Sequence, residues 1–274
     1  MKSILRAAAI APSILLAAAV FATAHPAAAA QLCDDGDLSV LANRPAVAWS
    51  PCVVGDGQVL LETGYYQNAS SVFGGSAIAE YPNAELRVGF DPKLELLIDP
   101  PTQVDVSGNH GRGFFSLSDP GVGFKYQLED QHSSALEIGG EIRPPSTAAS
   151  FHAQPDYRLE VDSTRLVGSK LQATLGLGLV DQSRIAKALP TTPALRSSAA
   201  LGYATSQKTT VSLELLDQAS VARSLRGQSF GDLALRQTLS RRVLFDIEGG
   251  QTFNTSARTR PHYIGAGFTF GSAK

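Results

Sequence analysis

Asn83–Asp99 reads NAELRVGFDPKLELLID, and its period decides the fold. Ala84, Leu86, Val88 and Phe90 fall on one side, Glu85, Arg87 and Gly89 on the other. After the break at Asp91-Pro92, Leu94, Leu96 and Ile98 alternate with Glu95, Leu97 and Asp99. Strands send successive side chains to opposite faces, so this is a two-stranded hairpin with one apolar and one largely charged face. A helix would scatter the same residues around its circumference.

The same design recurs from Val59 to the end. Val59, Leu61, Thr63 and Tyr65 oppose Glu62 and Gly64 in the strand before the hairpin, with a polar loop from Asn68 to about Ala77 between them. After Asp99 a long irregular loop, PPTQVDVSGNHGRGFFSLSD, is expected. Further strands follow around Val122–Leu128, Leu136–Ile142, Tyr157–Val161, Leu171–Leu179, Leu195–Tyr203, Thr209–Leu215, Leu233–Leu239, Val243–Ile247 and Ile264–Phe270. That makes twelve. Connections after the even strands are short (Asp91-Pro92, Glu129–Ser133, Ser163–Ser169, the neighbourhood of Ser206, Ser240-Arg241), and those after the odd strands are longer. Alternating loop lengths, an even strand count and strands of about ten residues are the signature of an outer-membrane barrel. A bilayer admits only helices and closed barrels, because every backbone group must find a partner. The expected fold is all-β: a closed antiparallel transmembrane β-barrel of about 12 strands over 57–274, in outer-membrane lipid. The final apolar alternation, ending at Phe268 and Phe270, resembles the signal that the barrel-assembly machinery reads, although Gly271–Lys274 follows it.

Residues 1–30 read as a secretory signal: Lys2 and Arg6 form the positive start, Ala7–Ala22 the apolar stretch and Ala28-x-Ala30 the cleavage site. A membrane anchor is the competing reading, against which Pro12, His25 and Pro26 interrupt the run. A mature chain beginning near Gln31 loses two positive charges, taking the net charge from -2 to about -4. That is no nucleic-acid footprint. Cys33 and Cys52 are the two cysteines, and in an oxidising compartment a bond between them is the default, a metal pair the alternative. Residues 31–56 have no sustained period and form a disulfide-linked segment at the periplasmic mouth or inside the bore, with Arg44 and Trp49 as the residues of a plug.

Several short pieces resemble one family, the outer-membrane barrels of the MetA phenol-degradation pathway, grouped as transporters. They are Asn43-Arg44-Pro45 through Trp49-Ser50-Pro51, Gly57 through Glu62-x-Gly64-Tyr65, Glu85-Leu-Arg-Val-Gly89, Asp119-Pro-Gly-Val-Gly-x-Lys125, Glu141-Ile-Arg-Pro144 and Gly265-x-Gly267-Phe268. The family form of the first piece has Asp where Asn43 stands. The resemblance implies an outer-membrane barrel and passage of a small solute, with aromatic compounds suggested by the family's name.

The strand register turns Glu62, Glu85, Glu95, Asp99, Glu137, Glu141, Glu160, Asp162, Glu214, Asp232, Asp246 and Glu248 inward, with Arg87, Lys125, Arg158 and Arg236. Twelve acids against four bases predict an acidic bore. Rings of carboxylates select cations, whereas a small barrel is filled by its own side chains; the residues fit both readings. Inward glycines, among them Gly64, Gly89, Gly139, Gly176 and Gly267, either relieve curvature or leave room for something inside. Tyr65, Phe90, Tyr126, Tyr157, Tyr203, Phe245 and Phe268 lie on the apolar register as interfacial girdles. The mature histidines, His110, His132, His152 and His262, fall in loops, turns or a strand start, and no Gly-x-Ser-x-Gly elbow or paired-His spacing appears. Neither an enzyme nor a cofactor is expected. The expected role is passive passage of a small solute; the alternative is a structural or surface-interaction barrel with a blocked lumen, presenting the loops Pro100–Ser118 and Arg143–Gln154 outside.

Overall fold

The computed structural model describes residues 32–33, 37–44, 48–70, 76–107, 114–131, 133–144, 155–181, 193–219, 227–253 and 262–272. The expected signal segment, His110, His132 and His152 lie outside the described residues, as does most of the predicted Arg143–Gln154 loop. Fourteen strands are described: β1 Val59–Ser70, β2 Ser76–Asp91, β3 Leu94–Asp99, β4 Gln103–Ser107, β5 Phe114–Leu117, β6 Gly121–Gln131 and β7 Ser134–Arg143. They continue as β8 Asp156–Val167, β9 Leu171–Asp181, β10 Ala194–Ala204, β11 Thr209–Gln218, β12 Gln228–Ser240, β13 Val243–Thr252 and β14 His262–Gly271.

All pairings are antiparallel, and β1 bonds to both β2 and β14, which closes the sheet. Fourteen segments make twelve positions around the wall. β2 bonds β3 through Leu86–Asp91 and β4 through Ala77–Tyr81, while β6 bonds β3 and β5 bonds β4. Hence β3 with β4, and β5 with β6, are each one position interrupted partway. The breaks fall at Pro100-Pro101 and at Asp119-Pro120, where proline withdraws a donor from the ladder. Two expectations are corrected here. The stretch after Asp99 is not an irregular loop, because β4 and β5 continue the wall beyond the prolines. The loop expected from Asn68 to Ala77 is shorter at both ends: β1 reaches Ser70 and β2 begins at Ser76. Polar composition does not exclude strand there, because outward positions above the membrane belt need not be apolar.

The short turns gather at one rim with the start of β1 and the end of β14, since Leu60 pairs with Gly271. The wall is built inside out relative to a soluble protein. On β6 buried and exposed residues alternate from Gly121 to Leu128: Val122, Phe124, Tyr126 and Leu128 are exposed, and Lys125 and Gln127 are buried. Leu177, Leu179, Leu213, Leu233 and Ile264 are exposed likewise. Such an apolar belt is stable only against acyl chains. Of the expected girdle residues, Tyr65, Phe90, Tyr126, Tyr157, Tyr203 and Phe268 are exposed, and Phe245 packs on Phe268 with ring centroids 5.4 Å apart.

Candidate functional site

The interior is occupied. A one-turn helix, α1 (Leu38–Leu41), is capped by Asp37, whose side chain accepts the Ser39 N–H at 2.9 Å. Leu38, Leu41, Ala42, Cys52 and Val54 form one apolar cluster with the wall residues Leu60, Ala135 and Leu244. Cys33 and Cys52 are disulfide-bonded. Leu60 and Leu244 stand on the otherwise polar register. An apolar side chain on a polar face is the one sequence signal that another apolar piece docks there.

The rest of the segment's described residues are irregular backbone, and their polar groups need partners that no ladder supplies. Inward charges supply them. Glu62 accepts the N–H of Asn43 at 2.9 Å and of Arg44 at 2.7 Å. Glu95 accepts the Val54 N–H, and Glu214 the Ala48 N–H at 2.7 Å. Arg87 donates to the carbonyls of Leu41 and Cys52 and Lys125 to those of Ser50 and Cys52, while Arg236 donates to that of Ser39. Nη1 of Arg87 lies 3.0 Å from Glu62, and its Nη2 lies 2.8 Å from Glu95. Nζ of Lys125 sits 3.6 Å from Glu95 and 3.7 Å from Glu137. Arg87, Lys125, Glu95 and Glu137 are wholly buried. Charges so placed need partners, and each of the four stands in an ion pair.

Asn43 is the hinge of this network: its amide donates to Glu85 at 2.8 Å, and its oxygen accepts from the Ser50 N–H and from Lys125. Arg44 crosses the bore to Asn83 at 3.0 Å and Asp246 at 3.4 Å. Arg158 stacks 3.8 Å over the Trp49 ring and pairs with Glu160 at 2.6 Å. The glycines make room for these groups. A Cβ on Gly139 would meet Trp49 at 2.6 Å, and one on Gly64 or Gly267 would meet the Arg44 guanidinium at 2.8 Å or less. Gly139→Leu is therefore expected to displace Trp49 and to cost about 1–3 kcal/mol as overpacking; quenching of the single tryptophan by a soluble quencher checks it, and unchanged quenching would count against this contact.

Farther from the short turns, Tyr66, Tyr263 and Phe230 cluster within 5.4–6.0 Å of one another through Tyr263, which donates to Asp232 at 2.6 Å. Asp246 and Glu248 are buried on the same side of β13. Arg143 bridges Asp99 at 2.6 Å and Glu141. Arg143 and Arg196 were absent from the inward bases read from the sequence: Arg143 ends a strand, and Arg196 stands on a strand whose alternation is weak. An apolar groove lined by Leu96, Val122, Phe124, Tyr157 and Leu159 lies on the lipid side of the wall.

No family model matches the chain, and no curated protein matches it. Solved structures do. An outer-membrane channel from Pseudomonas putida F1 is similar at 12% identity with a TM-score of 0.62, covering 80% of this chain and 97% of that one. The KdgM porin gives 12% identity and a TM-score of 0.52, covering 78% and 99%. The NanC porin gives 11% and 0.51, covering 77% and 98%. The chain has the fold of an outer-membrane β-barrel.

Proposed function

We propose that this protein is a passive outer-membrane channel for small solutes whose bore is controlled by the N-terminal segment. The observation that carries the reading is the segment itself: residues 37–44 and 48–54 lie across the bore, held by side chains of the surrounding strands. A filler needed only for stability could be apolar. This one is bound largely through charge-assisted hydrogen bonds to an irregular backbone, which water can replace when the segment leaves. The family resemblance supports aromatic compounds as the solute class, and five of its six motif pieces meet in the network: Asn43, Arg44 and Ser50; Glu62 and Gly64; Arg87; Lys125; Gly267. The residues lining the solute path are then Glu62, Glu85, Glu95, Glu137, Glu141, Glu160, Asp232, Asp246 and Glu248, with Arg87, Lys125, Arg158 and Arg236. The blocked bore equally favours a closed structural barrel, and conductance separates the two.

The test is single-channel recording of the refolded protein in planar bilayers, with and without reductant, beside a Cys33→Ser/Cys52→Ser variant. Opening the disulfide removes a constraint of about 3 kcal/mol on the unbound segment. Cation-selective steps that grow on reduction, and that the variant shows without reductant, are the expected result. A heat-modifiable barrel that conducts in neither state, and takes up no aromatic solute in liposomes, would establish the closed barrel instead.

A further inference from the structure

Four neighbouring strands carry a row of inward residues that the described residues of the N-terminal segment do not satisfy. Glu137 on β7 pairs in register with Asp162 on β8, Asp162 with Gly176 on β9, and Gly176 with Ser198 on β10. Like charges directly opposite one another in a sheet repel, and here both are wholly buried. Both carboxylate oxygens of Asp162, Oε1 of Glu160 and Oγ of Ser198 are buried without a hydrogen-bond partner among the described residues. They point to one place. A Cβ built on Gly176 would stand 2.5 Å from Asp162 Oδ1 and 2.7 Å from Glu160 Oε1, and closer still to Ser198 Oγ.

Two nearby bases meet the other oxygen of Glu160: Arg158 holds it at 2.6 Å, and Arg196 lies 3.6 Å from that same atom. Lys125 lies 3.7 Å from Oε2 of Glu137 and donates to the segment. Both oxygens of Glu137 also lack a hydrogen bond. Carboxylate oxygens without a hydrogen bond in so dry a place are costly. Gathered around a glycine that leaves them room, they match the needs of a cation.

We propose that Asp162, Glu160 and Ser198 form a binding site for a hard divalent metal ion, of which calcium is the best match, in the barrel wall over Gly176. The donors are all oxygen, with neither imidazole nor thiolate, which selects a hard ion over a transition metal. Calcium accepts an irregular shell that includes a bidentate carboxylate, whereas magnesium demands a near-ideal octahedron. Among the described residues no three His, Cys, Asp or Glu side chains converge as a metal set. Two carboxylates and one hydroxyl are therefore the protein's share, water completes the shell, and Glu137 contributes charge rather than a ligand. The site is independent of whether the bore conducts.

The test uses the full chain refolded into detergent without lipopolysaccharide and stripped with chelator. Calcium chloride is titrated calorimetrically, and the temperature of barrel unfolding is read by gel mobility with calcium, magnesium or chelator. Wild type is expected to bind one calcium ion per chain and to unfold roughly 5 °C or more higher when saturated. Asp162→Asn should abolish that shift and, in chelator, unfold at a higher temperature than wild type, because the unpaired charge is gone. Gly176→Ala, whose methyl would fill the cradle, and Ser198→Ala should weaken binding at least tenfold, and either serves if Asp162→Asn does not assemble. Absence of binding heat together with identical unfolding temperatures in calcium and chelator would overturn the proposal, leaving water or a proton as the partner. Calcium binding that survives all the variants would place the ion elsewhere and overturn it too.

Discussion

Arg87→Ala is expected to destabilise the folded barrel by about 3–5 kcal/mol and to release the N-terminal segment, because a buried ion pair loses one partner while the other stays buried. Arg87 is wholly buried and serves two carboxylates, Glu62 and Glu95, and two segment carbonyls, Leu41 and Cys52. Its loss leaves Glu62 and Glu95 charged with only the backbone N–H groups and Lys125 to answer them. Water must then enter, and water competes for the same segment groups. Limited proteolysis within 37–54 should become rapid while the belt stays protected, and unfolding followed by gel mobility should shift downward. The double variant Arg87→Met/Glu95→Gln, which removes charge from both sides, should recover much of the stability. Arg87→Ala with wild-type protease resistance would show that the apolar cluster around Leu38, Leu41 and Leu244 alone holds the segment.

Leu177→Arg should destabilise the inserted barrel by about 2–4 kcal/mol, the cost of a guanidinium on the lipid face near the bilayer centre. Leu177 lies inside β9, 55% exposed, beside Val161 on β8. Gln172→Arg, on the same strand near the short-turn rim and facing inward, is the control and should change stability by less than about 1 kcal/mol. Reversible unfolding in lipid vesicles measures both. Equal effects at the two positions would mean that the period-two faces have been assigned wrongly.

The two faces are also where the sequence carries most of its information. From Leu86, Val88 and Leu96 against Arg87 and Glu95, the alternation names which side chains share a face, and loop lengths that alternate along the chain order the strands around a wall. Both properties are local, set by the pleat and by the turns, so they are legible without coordinates. The exposure of Phe124, Leu177 and Leu233 follows directly from them. The prolines were legible as breakers but not as interruptions within a continuing strand position. Whether a chain stops or resumes beyond Pro100-Pro101 depends on the neighbour, and only β2, long enough to partner both β3 and β4, shows that it resumes.

What covers the inward face is not a local property at all. Period two says that Glu62, Arg87, Glu95 and Lys125 point to one side; it does not say whether water, one another or another segment meets them. Asn43 and Arg44 lie far along the chain from Lys125 and Asp246, and closure of the sheet brings them together. Likewise the row Glu137, Asp162, Gly176 and Ser198 exists only once four strands have taken their register. The sequence by itself determined a membrane barrel with an apolar outside and a charged inside, because side-chain alternation and turn length are written residue by residue. The tertiary structure alone decided that the inside is occupied, and by which groups, because burying a charge or an irregular backbone depends on partners that only the closed barrel assembles.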